Sequence, residues 1–99
     1  MKKPYTIEEI KRIAAPIAKA HGVKRMGLFG SYARGEANEE SDVDFLIEEG
    51  KIESLYDYFA LVLDLEEKFQ SHIDVVTSGT KNQEFWRAAK KDEVLLYEE

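Results

Sequence analysis

The feature that most limits how this chain can fold is the stretch LFGSYARGEANEESDVDFLIE, in which two apolar runs flank a polar loop. The first run, VKRMGLF (23–29), is predicted to form a short buried strand, followed by a tight turn and a brief helix that ends at Gly35. A second strand is predicted over 42–48. Because successive side chains on a strand point to opposite faces, most of its apolar side chains share one face, whereas Asp42 and Asp44 lie on the other. These two strands are therefore predicted to bring two carboxylates close to a glycine-containing turn.

The rest of the chain alternates helices with short strands. The predicted elements are, in chain order, a helix that begins after Thr6 and ends at His21, a helix over 55–69 capped by Ser54, a strand over 72–77, a short helix over 82–91 and a strand over 93–97. Pro16 lies inside the first helix and is expected to kink it or split it in two. This order favours an α/β or α+β fold, in which helices pack on a small mixed sheet of about four strands. A length of 99 residues predicts one domain over 1–99.

The helix over 55–69 carries a broad apolar surface. One stripe consists of Leu55, Phe59, Val62, Leu65 and Phe69, and it is widened by Tyr56, Tyr58, Leu61 and Leu63. We expect this helix to be covered on more than one side, either by the core of the domain or by a partner.

Composition excludes several classes of function. The chain has no cysteine, which excludes a disulfide framework and a thiolate metal site. No apolar run approaches the roughly 20 residues that span a bilayer, and the amino terminus lacks the apolar segment of a signal peptide. A cytoplasmic protein with no membrane partner is therefore expected. The net charge of −6 argues against general nucleic-acid binding, whereas a nucleotide held together with cations is compatible with it.

Carboxylates are the main candidates for chemistry. Asp42 and Asp44 are two residues apart on a strand and project side by side, where they repel each other unless hard cations lie between or beside them. Asp74 points away from the apolar face of the third strand. If the second and third strands are neighbours, the three carboxylates converge and can anchor two magnesium ions about 3.5 to 4 Å apart. Such a site serves phosphoryl or nucleotidyl transfer, with Asp74 as metal ligand or general base.

Gly30 and Ser31 supply the second half of the predicted site. An abrupt turn after a strand aims backbone N–H groups at whatever lies over it, Gly30 permits close approach of a phosphate, and Ser31 offers a hydroxyl. Arg34 lies one helical turn further on and is a candidate phosphate contact, although pairing with Glu36 or Glu40 is an ordinary surface role. The lysine of a P-loop and the Gly-x-Gly-x-x-Gly of a dinucleotide-binding turn are both missing, so these two interpretations fail.

The spacing of these residues resembles a known signature. Gly30 and Ser31, followed after ten residues by Asp42-x-Asp44, match the Gly-Ser-x10-Asp-x-Asp pattern of the DNA polymerase beta-like nucleotidyltransferases. The stretch GSYARGEANEESDVDFLIE is similar to the minimal nucleotidyltransferase (MNT) branch, and Asp74 lies where that family has its third carboxylate. The resemblance implies a mixed-sheet nucleotidyltransferase fold and magnesium-dependent transfer of a nucleoside monophosphate from a triphosphate.

Further properties follow from this resemblance alone. In MNT proteins the donor is usually ATP, and members are often antitoxins of HEPN/MNT toxin–antitoxin pairs that neutralise a HEPN-domain ribonuclease by adenylylating a tyrosine. The resemblance therefore implies ATP as the donor, two Mg²⁺ ions as cofactor and a HEPN-domain protein as partner. A homo- or hetero-oligomer is compatible with that partner.

Other readings stay open at this point. The chain could neutralise a partner by contact alone with an idle nucleotide site, it could modify a small molecule, or its carboxylates could serve a phosphohydrolase or nuclease.

Some residues near the motifs are predicted to have no part in the chemistry. Tyr32 is expected to be exposed beside the site, and His21 and His72 are expected to be structural or solvent-facing.

Overall fold

A computed structural model describes residues 3–99. The helices and strands of this part follow in the order α1 (Ile7–Ala20), β1 (Arg25–Phe29), β2 (Val43–Glu48), α2 (Leu55–Phe69), β3 (Ile73–Thr77), α3 (Gln83–Lys91) and β4 (Val94–Glu98). Four strands and three helices are confirmed, each within about two residues of its predicted bounds. Met1 and Lys2, which the predicted domain span includes, lie outside the described residues.

The brief helix predicted after the first strand is wrong. Residues 31–35 form a turn instead, in which the Arg34 N–H donates to the Gly30 carbonyl at 3.1 Å. The glycines that bound this segment, Gly30 and Gly35, have φ values of 78° and 74°. Because left-handed backbone at both ends stops helical geometry from propagating, the segment completes a single turn.

Helix α1 begins as predicted and is continuous across Pro16. Its capping box is formed by Thr6 Oγ1, which accepts from the Glu9 N–H at 3.0 Å, and by Glu9 Oε1, which accepts from the Thr6 N–H at 2.8 Å. Of the two outcomes predicted at Pro16, a kink or a split, the split does not occur. Proline removes the donor that would bond to the Arg12 carbonyl, and both residues are exposed, so water can satisfy that carbonyl.

The four strands form one mixed sheet in the order β3-β2-β1-β4. β1 pairs antiparallel with β2 and with β4, whereas β2 and β3 run parallel. A parallel pair needs a crossover connection, and α2 supplies it between β2 and β3. This topology places β2 in the interior of the sheet, beside the edge strand β3.

Helices cover both faces of the sheet. α1 and α2 lie on the face where the main core forms, and the largest fully buried side chains there are those of Ile10, Met26, Leu28, Phe45, Ile47, Leu61, Leu65, Phe69 and Leu96. On the opposite face α3 covers a smaller cluster formed by Phe29, Leu46, Val76, Trp86 and Ala89. The predicted alternation along β2 is confirmed, since Phe45 points towards α1 and α2 while Leu46 points towards α3.

Only part of the apolar surface of α2 enters the core. The side chains that face the sheet are those of Tyr58, Leu61, Val62, Leu65 and Phe69. Leu55 and Phe59, predicted in the same stripe, are 71% and 52% exposed, because β3 is the edge strand and the helix overhangs it. Within residues 3–99, no helix combines the length and apolar character needed to cross a membrane.

Candidate active site

The parallel pairing of β2 and β3 brings the three predicted carboxylates together. Asp44 lies directly opposite Asp74 in the register of the two strands, and neighbouring strands are about 4.8 Å apart. Asp42 precedes β2 by one residue and holds a carboxylate oxygen within 4.8 Å of one on Asp74. β2 and β3 are therefore neighbours, which is the condition on which the predicted convergence of the three carboxylates depends.

Asp44 is the most enclosed of the three carboxylates. It is half-buried, whereas Asp42 and Asp74 are exposed. The pKa of Asp44 is raised to about 6, first by burial and then by the charge of Asp74, a hydrogen bond with Asp74 and the charge of Asp42. Because each ionised carboxylate destabilises its neighbours, the cluster favours a bound cation.

His72 is exposed, as predicted, and it also lies against the carboxylates. Its Nε2 atom is 3.4 Å from Asp74 Oδ1, and Asp42, His72 and Asp74 each place one possible metal-ligand atom within 4.8 Å of the other two. The sequence reasoning missed this position. Its signal is the spacing, because His72 and Asp74 are two residues apart and share a face by the same rule that pairs Asp42 with Asp44.

Gly30 places the turn directly against Asp44. Its φ of 78° is readily adopted by glycine, and a Cβ atom here would overlap Asp44 Oδ2. Within residues 3–99, the N–H groups of Ser31, Tyr32 and Ala33 donate to no backbone carbonyl. The turn thus combines free donors with close approach to a carboxylate, an arrangement that suits a phosphate bound together with a cation.

Tyr32 fixes this turn to the core, so its predicted exposure is wrong. Only 3% of the residue is exposed. Its hydroxyl accepts a hydrogen bond from the Tyr5 N–H at 3.4 Å, and the two rings lie with centroids 6.4 Å apart. The amino-terminal segment reaches the turn through the tertiary fold, which local sequence spacing does not reveal.

Arg34 lies on the same turn, with its guanidinium engaged at the surface. Nε donates to Glu36 Oε1 at 2.9 Å, and Nη1 lies 3.4 Å from Asp92 Oδ2. The pairing with Glu36 is the surface role considered above, and the phosphate contact stays a prediction. Because the Arg34 side chain is 44% exposed, these ion pairs contribute little to stability.

A pocket of about 420 Å³ lies beside Asp44 and Asp74. Its other walls are formed by Phe29, Tyr58, Ile73, Val75, Val76 and Phe85. The Phe29 and Phe85 rings meet edge to face with centroids 5.8 Å apart. The volume is in the range of small-ligand pockets, and its aromatic walls suit a planar ring.

Comparison with known proteins assigns a family to this arrangement. The family model of the nucleotidyltransferase domain matches residues 7–97. A candidate protein adenylyltransferase of Methanocaldococcus jannaschii is 51% identical over 71 residues, which cover 72% of this chain and 76% of that protein. Protein adenylyltransferase MntA of Thermococcus cleftensis is 40% identical over 79 residues, which cover 76% of this chain and 80% of that protein.

Solved structures agree with this assignment. The structure of a candidate minimal nucleotidyltransferase is 27% identical with a TM-score of 0.76, and the match covers 93% of this chain and 97% of that chain. A chain from a toxin–antitoxin crystal structure with AMP-PNP has the same TM-score of 0.76 at 19% identity, covering 94% of this chain and 75% of that chain, which shows the fold alone. The resemblance predicted from the motifs is confirmed. The chain belongs to the nucleotidyltransferase domain family, and within it to the protein adenylyltransferases of the minimal nucleotidyltransferase type.

Proposed function

We propose that this chain transfers AMP from ATP to a tyrosine hydroxyl of a HEPN-domain ribonuclease toxin in the cytoplasm and thereby acts as its antitoxin. The observation that carries the proposal is the register that sets Asp44 opposite Asp74, with Asp42 beside them and the Gly30 turn against Asp44. This arrangement offers oxygen ligands for cations next to free donors for phosphates. The relatives named as protein adenylyltransferases support transfer of AMP to a protein, and a chain of the same fold has been crystallised with AMP-PNP in a toxin–antitoxin complex.

The chemistry of the carboxylates fits magnesium. Asp42, Asp44 and Asp74 supply carboxylate oxygens, the hard ligands that Mg²⁺ prefers, and a divalent ion relieves their mutual repulsion. These three residues would hold the two expected ions. When bound, Mg²⁺ would neutralise charge on the triphosphate and stabilise the oxygen that leaves.

The side chains and backbone of the chain itself account for positioning and proton transfer. The free N–H groups of the turn at Ser31 bind the triphosphate and orient its α-phosphorus towards Asp74. Asp74 accepts the proton as the tyrosine oxygen forms its bond to that phosphorus. The bond from the phosphorus to the bridging oxygen breaks, and pyrophosphate leaves with the electron pair. Since Asp74 is exposed, it can pass the proton on to water.

The toxin is proposed to dock on the exposed apolar surface of α2. This α2 patch consists of Leu55, Tyr56, Phe59 and Leu63. Leu55 also lines a pocket of about 520 Å³ between α2 and β3, which can receive a partner side chain. Glu66 and Glu67 follow Leu63 within one helical turn. Their charge disfavours self-association through the patch and favours a partner whose apolar groove is bordered by basic residues.

Label transfer tests the reaction. The purified chain is incubated with Mg²⁺, a lysate of its source cells and ATP labelled at either the α- or the γ-phosphate. We expect α-label, and no γ-label, on a discrete protein whose modified residue is a tyrosine by mass spectrometry. Asp44→Asn should abolish the band, whereas Asp57→Asn, a carboxylate change on α2 outside the site, should preserve it.

The remaining outcomes separate the alternatives. Neutralisation of the toxin by a variant with both Asp42→Asn and Asp44→Asn would show that contact alone suffices. Free AMP without any labelled acceptor would indicate a hydrolase, and label confined to a small metabolite would indicate a small-molecule acceptor. The first result would contradict an antitoxin role that depends on transfer, and the other two would contradict transfer to a protein tyrosine.

The docking surface has a separate test. Leu63→Asp places a charge in the α2 patch and should prevent co-purification with the modified protein. Leu95→Asp alters another exposed leucine, on β4, and should leave the complex intact. Equal effects of the two substitutions, or none from Leu63→Asp, would place the partner elsewhere.

A further inference from the structure

His72 is held beside the carboxylates by backbone pairing. The Val43 N–H donates to the His72 carbonyl at 3.1 Å, which ties His72 to the start of β2 and hence to the neighbourhood of Asp42. The His72 side chain is 62% exposed. Its backbone is thus positioned while its imidazole can turn towards a ligand without disturbing the core.

The spacing of the potential ligand atoms fits one coordination sphere. Ligand atoms about 2.1 Å from an octahedral ion lie about 3.0 Å apart when adjacent and about 4.2 Å apart when opposite. The 3.4 Å between His72 Nε2 and Asp74 Oδ1 lies between these values. The corresponding atom of Asp42 is within 4.8 Å of both, so small rotations of three exposed side chains bring all three atoms onto one ion.

We infer that His72 is a nitrogen ligand of one of the site's cations, and that it shifts the preference of that position from Mg²⁺ towards a divalent first-row transition metal. The inference rests on the proposed function, because it concerns the same cation site. Mg²⁺ is bound in proteins mainly through carboxylates, substrate phosphates and water, whereas imidazole is a good ligand for transition metals. Asp42 and Asp74 can serve either kind of ion, so the imidazole decides the preference.

Cobalt is a suitable probe because it reports on its ligands. Co²⁺ binding to the full chain is followed by visible absorption, Mg²⁺ binding by calorimetry, and imidazole ligation by the paramagnetically shifted N–H resonance in the proton NMR spectrum. His72→Gln exchanges the nitrogen for an amide group whose oxygen is a hard ligand. We expect about tenfold or greater loss of Co²⁺ affinity, a change in Mg²⁺ affinity below about threefold, and loss of the shifted resonance.

The chain provides a matched control, because it has two histidines. His21 pairs with Asp64 between α1 and α2, so His21→Gln should keep the Co²⁺ affinity and the shifted resonance. Equal weakening of Co²⁺ and Mg²⁺ by His72→Gln would mean that His72 merely orients Asp74 and would overturn the inference. Unchanged Co²⁺ affinity in His72→Gln would overturn this inference and leave the proposed function standing. If the unaltered chain bound neither ion, the proposed function would fail as well.

Discussion

Replacing Asp44 by asparagine should make the metal-free protein more stable while it abolishes transfer. The pKa of Asp44 is raised from 3.8 to about 6, chiefly by burial and then by the carboxylate of Asp74. Near pH 8 this carboxylate is ionised in the native and unfolded states alike, and the native state bears the cost of its confinement. Asparagine has almost the same shape, carries no charge and has an amide N–H that can donate a hydrogen bond to Asp74.

The size of the effect follows from the shift in pKa. A displacement from 3.8 to about 6 is about 2 units, and each unit corresponds to about 1.4 kcal/mol, which gives an upper limit of about 3 kcal/mol. Partial exposure of Asp44 reduces this, so we expect Asp44→Asn to raise the free energy of unfolding by about 1 to 2 kcal/mol near pH 8. Because the pKa of Asp44 is raised in the folded state, the unaltered protein bears no such cost below the unfolded pKa, where the carboxyl is protonated in both states. It loses stability as pH rises through about 6 and the folded carboxyl ionises. The advantage of the variant should therefore vanish near pH 4.

Urea unfolding followed by circular dichroism measures this difference in EDTA, near pH 8 and near pH 4. Adding Mg²⁺ near pH 8 should stabilise the unaltered protein more than Asp44→Asn, because the ion removes the repulsion. Asp57→Asn is a control of opposite sign. The Asp57 carboxylate caps α2 and its pKa is lowered, first by a hydrogen bond from the Glu53 backbone, so this substitution should destabilise the protein. A destabilised Asp44→Asn variant near pH 8 would show that the carboxylates do not oppose one another in the native state.

Three further predictions concern the turn and the surface. Gly30→Ala should abolish transfer and lower the free energy of unfolding by about 1 to 3 kcal/mol in urea titrations. Gly35 has a similar φ, but a Cβ added there would meet no atom within 4 Å, so Gly35→Ala is the control. An equal loss of stability in the two variants would contradict the overlap between the new Cβ and Asp44. Arg34→Ala should raise the KM for ATP roughly tenfold with kcat little changed in steady-state assays, whereas an unchanged KM would restrict Arg34 to its surface ion pairs. The pKa of Asp64 is lowered, first by its hydrogen bond with His21. The ionised Asp64 carboxylate therefore stabilises the fold above the unfolded pKa of the group, and this stabilisation is lost as pH falls. Asp64→Asn should lower the free energy of unfolding by up to about 1 kcal/mol at neutral pH and by progressively less as pH falls below the unfolded pKa of the carboxyl, and an undiminished difference in acid would contradict this assignment.

Local patterns in the sequence determined most of the secondary structure and the chemistry of the site. The predicted caps at Thr6 and Ser54 are present, because a capping box involves side chains and N–H groups only three residues apart. Alternation along β2 correctly separated Asp44 from the core-facing Phe45, since strand periodicity is a local property. The spacing of Gly30 from Asp44 identified the family before any fold was known.

Two of the errors arose where residues distant in sequence meet. Tyr32 is buried because Tyr5 lies against it. The outer side chains of α2 stay exposed because β3, which the helix overlies, is the edge strand. A helical pattern reveals how wide an apolar surface is, but how much of it the core covers depends on the neighbours that the fold supplies.

The strand register was decided by the tertiary structure alone. The sequence identified Asp44 and Asp74, but they could converge only if their strands were neighbours. The parallel pairing of β2 and β3 places the two residues opposite each other and brings His72 close to Asp42. A slip of one residue would turn the whole of β3 to its other face and remove Asp74 from the site. Strand periodicity tells which side chains share a face, whereas pairing depends on the packing of Ile73 and Val75 in the common core. Residue chemistry is thus local, but the site requires long-range packing to assemble it.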